Sequence, residues 1–134
     1  MLHLQAAAIY AGVNILILLI LAYLVVDKRR THKILLGDGG NEAAQRAIRA
    51  HANAAEYIPA GLVGIVILAL MDPQTPAWLL HASGLALTAG RIIHAIGLHL
   101  GVLNLGRMVG MALTWIAYAL LGVGLIAAGL GYRL

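Results

Sequence analysis

The residues most able to do chemistry in this chain are gathered in one stretch, Asn41 to Pro59, which reads NEAAQRAIRAHANAAEYIP. On a helix at about 100° per residue, Arg46, Arg49, Asn53, Glu56 and Tyr57 fall within an arc of roughly 100°, forming one continuous polar stripe. The other side carries Ala43, Ala44, Ala47, Ile48, Ala55 and Ile58, and His51 lies there too. Pro59 has no N–H, so a kink and a carbonyl exposed near Ala55 are expected just beyond the stripe. Further along, Arg91 and His94 stand three residues apart, and Arg107 is followed on one face by Met111, Thr114 and Tyr118. Guanidinium forks favour carboxylates and phosphates, so the chemistry these residues suit is recognition of an anion with more than one acceptor group.

The elements that hold these residues are set by composition. Of 134 residues, 62% are hydrophobic and only 10% charged. Soluble domains carry about 25% charged residues, so a soluble enzyme and a disordered tail are excluded. The net charge of +4 is of the sign that nucleic acid attracts, yet the nine Lys and Arg are scattered among apolar runs. A membrane protein without nucleic-acid binding is the better match. With no cysteine, disulfides, thiolate metal sites and a cysteine nucleophile are all ruled out, and any thiol must come from a substrate.

Crossing a bilayer takes about 20 mostly apolar residues. Four such spans are expected: 6–26, 41–71 with Asn41 as N-cap and a break at Asp72-Pro73, 76–100, and 106–130. The first span opens without basic residues and ends in Asp27-Lys28-Arg29-Arg30, so it reads as a retained span rather than a signal peptide. Short connections make residues 1–134 one domain, an all-α integral membrane bundle. Lys28, Arg29, Arg30 and Lys33 follow span one, whereas the connection between spans two and three has no Lys or Arg. The positive-inside rule then puts the first and third loops in the cytoplasm and both termini outside.

In that arrangement three helices bring ionisable groups to one level of the cytoplasmic half, and the polar cavity they would share counts Arg46, Arg49, Arg91 and Arg107 against Glu56, an excess of three positive charges. The outer half is expected to be almost wholly apolar. Buried charges require partners, so a polar cavity holding an anion is implied, either a ligand or a lipid headgroup. Plainer roles exist for each residue: Arg46 and Arg49 can snorkel, Glu56 can pair structurally with Arg49, and Arg107 can be a loop anchor. No two of the six histidines stand at i, i+4, so no metal site is expected. The Gly37-Asp38-Gly39-Gly40 run is a turn and lacks the Lys and Ser/Thr of a phosphate loop. Gly97-x-x-x-Gly101 and Gly106-x-x-x-Gly110 are spacings that permit close helix packing.

Three motifs together resemble MAPEG, the membrane-associated proteins in eicosanoid and glutathione metabolism. Arg49-Ala50-His51-Ala52-Asn53-Ala54-Ala55-Glu56-Tyr57 is similar to that family's R-A-x-x-N-x-x-E-Y/N signature before a proline, with Arg46 on its flank. Gly90-Arg91-Ile92-Ile93-His94 resembles its third-span G-R-x-x-H/Y element, and Arg107 follows at the spacing of an arginine near the substrate thiol. The short Gly-Asp-Gly-Gly connection looks like a compact bacterial branch. The resemblance implies a homotrimer of four-helix protomers in a bacterial inner membrane, with glutathione bound between subunits at the cytoplasmic side. It further implies that Arg49 and Arg91, with Arg46 or a basic residue at 29–33, hold carboxylates, while Glu56 takes the ammonium and Asn53 the amides. Tyr57 and His94 would complete the glutathione site, and Arg107 would stabilise the thiolate of a transferase or peroxidase acting on a lipophilic small molecule. Leu98 stands where several members have a tyrosine, and Met108 and Met111 where well-studied synthases have hydroxyls, so binding is better supported than catalysis. Two rival readings come from other classes. One is a structural protein whose arginines hold anionic membrane lipids. The other is a small multidrug transporter, although span one lacks the acidic residue such exporters use.

Overall fold

In the computed structural model, which describes residues 2–71, 75–101 and 104–134, four long helices carry the chain: α1 (Leu2–Thr31), α2 (Glu42–Leu70), α3 (Ala77–Leu100) and α4 (Leu105–Gly129). Each is long and apolar enough to cross a membrane. Helix α1 extends past the expected apolar span because Lys28, Arg29 and Arg30 occupy its last turn, where cations oppose the negative end of the helix dipole. Helix α2 starts where the sequence indicated: the Asn41 side chain accepts from the Ala44 N–H at 3.0 Å. Pro59 lies inside an α2 that runs without interruption to Leu70. The expected break at Asp72-Pro73 lies outside the described residues. Nearby, the Thr75 hydroxyl donates to the Leu68 carbonyl at 2.8 Å.

Helix α1 packs on α2 and α3, and α4 packs on α2 and α3. The α3–α4 seam is the tightest. A Cβ on Gly110 would stand 2.5 Å from the His94 amide nitrogen, and one on Gly97 2.6 Å from that of Arg107. Gly106 and Gly110 therefore form a contact face as their spacing suggested. On α3, however, the partner of Gly97 along the seam is Gly90, because Gly101 is already the C-cap with φ 158°. This close approach delivers the first turn of α4 to the last two turns of α3.

The half of the bundle away from the basic 28–33 segment departs from expectation. Instead of being almost wholly apolar it holds a polar clasp between α1 and α3. Asn14 is completely buried, and its amide donates to the Thr88 hydroxyl at 2.8 Å and to the Tyr10 carbonyl at 2.9 Å. One turn towards the chain start, the Tyr10 hydroxyl meets His81 Nδ1 at 3.0 Å. The Asn14 Oδ1 is buried with no partner among the described residues, but every group of the clasp is neutral, and neutral polar groups are far cheaper in hydrocarbon than charged ones.

Candidate functional site

At the basic end of the bundle α2, α3 and α4 diverge around a cavity of about 320 Å³. Arg46, Arg49 and Asn53 line it from α2, His94 and Leu98 from α3, and Arg107 from the first turn of α4; Gln45 and Gly101 complete the wall. Five of the eight residues singled out from sequence thus meet in one space. Three guanidiniums face it, and among the described residues no acidic side chain does. Arg46 is partly neutralised by Glu42 one turn back, at 3.2 Å. Arg49 is exposed and has no polar partner among the described residues. His94 is 6% exposed, its backbone held against Gly110 by the seam.

Arg91 lies one layer beneath. It is 1% exposed, with one terminal nitrogen donating to Asn53 Oδ1 at 2.7 Å and the other to the Thr114 hydroxyl. The second nitrogen also reaches the Gly110 carbonyl at 3.4 Å and the Met111 sulfur at 3.5 Å. The guanidinium sits 5.0 Å from the Tyr57 ring centroid, a cation–π contact, and its Nε is buried without a partner. Every acceptor around Arg91 is neutral, so its charge adds to the positive potential of the cavity floor. Through Asn53 it also orients a wall residue of the cavity.

Tyr57 and Glu56 lie outside the cavity wall. Tyr57 packs edge-on against Tyr118 at 5.6 Å, and the Tyr118 hydroxyl donates to the Tyr57 carbonyl at 2.6 Å, two residues before Pro59. Glu56 is exposed on the outer face of α2, with no polar partner among the described residues. A second cleft of about 290 Å³ flanks that face on its other side, where Arg29 of α1 and His51 of α2 meet over Ala22, Val25, Ile48 and Ala52. There the Arg29 Nε donates to the Gly37 carbonyl at 3.2 Å, leaving its terminal nitrogens for another partner.

One positioning residue escaped the sequence analysis. Asn104 accepts from the Arg107 amide at 3.1 Å, while its own amide donates to the carbonyls of Gly97 at 2.6 Å and Gly101 at 3.4 Å. A single side chain therefore caps the end of α3 and the start of α4 and fixes where Arg107 emerges. The signal was present in the spacing, an Asn three residues before Arg107 at a helix start.

A family model described as MAPEG family matches residues 7–127. The chain belongs to the MAPEG family. The match spans all four helices and includes every residue of the arginine cavity. Two similar proteins carry the name inner membrane protein YecN, from Escherichia coli strain K12 and strain O6:H1. Each is 36% identical over 117 residues, covering 87% of this chain and 87% of the relative. With four membrane-crossing helices and these relatives, this MAPEG protein is an integral multi-pass membrane protein. The relatives' name gives a location and no ligand.

Proposed function

We propose that this MAPEG protein binds glutathione between neighbouring copies of a homotrimer, at the cytoplasmic end of the bundle, and activates its thiol. The observation that carries the reading is the cavity itself: three guanidiniums, a fourth beneath them, and no carboxylate on its wall. Glutathione supplies what such a site needs, with two carboxylates for the arginines, amides for Asn53 and the thiol that this chain lacks. Its ammonium requires an acid, and Glu56 is the acid on the polar stripe.

Two features of α2 support a ring of copies. Glu56 and Arg49 are exposed on its outer face, and a carboxylate facing hydrocarbon is costly. The arginine cavity lies on one flank of that face and the Arg29–His51 cleft on the other. Two different surfaces that must both be covered make a head-to-tail contact, which closes into a ring when the rotation permits. In that ring Arg29 and His51 of one copy reach the glutathione site of the next. The basic 28–33 segment supports an orientation with this end in the cytoplasm and both termini outside, in a bacterial inner membrane.

Arg107, held at the start of α4, would stabilise the thiolate, and the positive end of that helix acts in the same sense. In conjugation the sulfur bonds to an electrophilic carbon of a lipophilic molecule as the leaving group departs with the bonding pair. With a hydroperoxide, the sulfur attacks the terminal oxygen, the O–O bond breaks and the alcohol leaves; a second glutathione then gives the disulfide and water. The test is the ultraviolet absorbance of thiolate when glutathione is added to the purified protein near pH 7. A free thiol of pKa about 8.5 is mostly protonated there, so a strong thiolate band is expected only from bound, activated glutathione. Arg107→Ala is expected to keep binding and lose the band. A folded wild-type protein that binds glutathione without any band would overturn the proposed activation.

A further inference from the structure

A second ligand surface lies on α1 and α3, on the side of α3 turned away from the arginine cavity. Near the clasp the two helices touch: a Cβ on Gly84 would stand 2.6 Å from the Tyr10 ring. Below the Asn14–Thr88 bond they separate and leave a groove of about 420 Å³. Ile17, Leu21 and Leu24 line one wall, and Ile92 and Ile96 the other. The groove is closed at the clasp and ends at His99, whose Nδ1–H donates to the Ala95 carbonyl at 2.8 Å, leaving Nε2 unengaged. One turn beyond Leu24 on the same face of α1 is Lys28. Its ammonium holds Asp27 at 3.2 Å and has two further N–H donors. Arg29, Arg30 and Lys33 keep this end of the helix strongly positive.

We infer that this groove holds one acyl chain of an anionic phospholipid, from the leaflet on the side of the basic 28–33 segment. Three properties select that occupant. The walls are aliphatic, so they take hydrocarbon and no polar ligand. The groove lining on α1 runs from Ile17 to Leu24, about 10 Å at ~1.5 Å per residue, and Lys28, one turn further on, lies about 16 Å from Ile17 along the helix. That is close to the depth of one leaflet, half of a core about 30 Å thick. His99 lines the open end and Lys28 stands one helical turn beyond it, at headgroup level, where basic side chains attract anionic lipid. Neither the location nor the chemistry overlaps the glutathione reading, and the inference does not depend on it.

The test is native mass spectrometry of the full chain after reconstitution in phosphatidylglycerol or phosphatidylcholine vesicles and extraction in mild detergent. Phosphatidylglycerol is expected to be retained about fivefold better than phosphatidylcholine, the preference conferred by roughly one basic contact. Ile96→Trp, which fills the groove, is expected to lose the retained lipid, and Lys28→Gln to keep lipid but lose the headgroup preference. Circular dichroism shows whether each variant is folded. Lipid retained equally by folded Ile96→Trp would overturn the inference. So would displacement of the lipid by glutathione, which would place it in the arginine cavity. Efficient disulfide cross-linking of Ile20→Cys between copies would overturn it as well, by showing that a second protomer covers the groove.

Discussion

Two polar regions cross this bundle, and they are built on opposite terms. The clasp of Tyr10, Asn14, His81 and Thr88 is neutral and its members are bonded mainly to one another, with the Asn14 Oδ1 left without a partner among the described residues. The arginine cavity is charged, and its groups are left over: Arg49 has no partner among the described residues, and Arg91 meets only neutral acceptors. In hydrocarbon a self-satisfied polar group costs little and ties helices together. An unbalanced cluster of cations is expensive and persists only where something else supplies the anion. The comparison separates a region that ties helices together from one whose unbalanced charge supports the proposed anionic ligand.

The sharpest way to break the contrast is at the seam supporting the cavity. Gly110→Ala would force a Cβ onto the His94 backbone, which cannot move as a flexible side-chain end could. It is expected to cost at least about 3 kcal/mol, the upper range for overpacking, and to abolish ligand binding together with stability. Thermal unfolding in detergent, followed by circular dichroism, measures it; an unchanged midpoint would show that the seam is looser than described. The smaller effect belongs to the clasp. Asn14→Ala removes the Thr88 bond and is expected to destabilise the bundle by about 1 kcal/mol, within the range for interhelical hydrogen bonds in membranes. Binding at the far end should be unaltered. Loss of binding in that variant would mean that the two regions are coupled through α1 and α3.

Much of this was legible in the sequence, for identifiable reasons. Four apolar runs predict four helices; Asn41 marks a helix start because capping chemistry is local, and Pro76 because a residue without an N–H is tolerated at a helix start. The arginine stripe was legible because 3.6-residue periodicity places Arg46, Arg49 and Asn53 on one arc. The same arc could not say which neighbour each member would face. Arg49 and Asn53 meet α3 and α4, whereas Glu56, on the same stripe, ends up on the open side of the protomer. In the proposed trimer its partner comes with a neighbouring copy, which no periodicity within one chain encodes. Asn14 was missed because a single amide in a long apolar run has no pattern; only the arrival of Thr88 from α3 gives it meaning. Arg91 was expected level with the stripe and does meet Asn53, but its burial there depends on Gly110 and Thr114, residues that look like ordinary packing in the sequence.

The most direct test of the central claim is calorimetric titration of glutathione into the detergent-purified protein, with Arg49→Ala and Glu56→Gln alongside. Both side chains are exposed in the protomer, so each substitution is expected to shift stability by less than about 0.5 kcal/mol. Saturable binding by the wild type, lost in both folded variants, is the predicted result. Binding that survives both substitutions, or none at all by a folded wild-type protein at glutathione concentrations far above physiological thiol levels, would contradict the account.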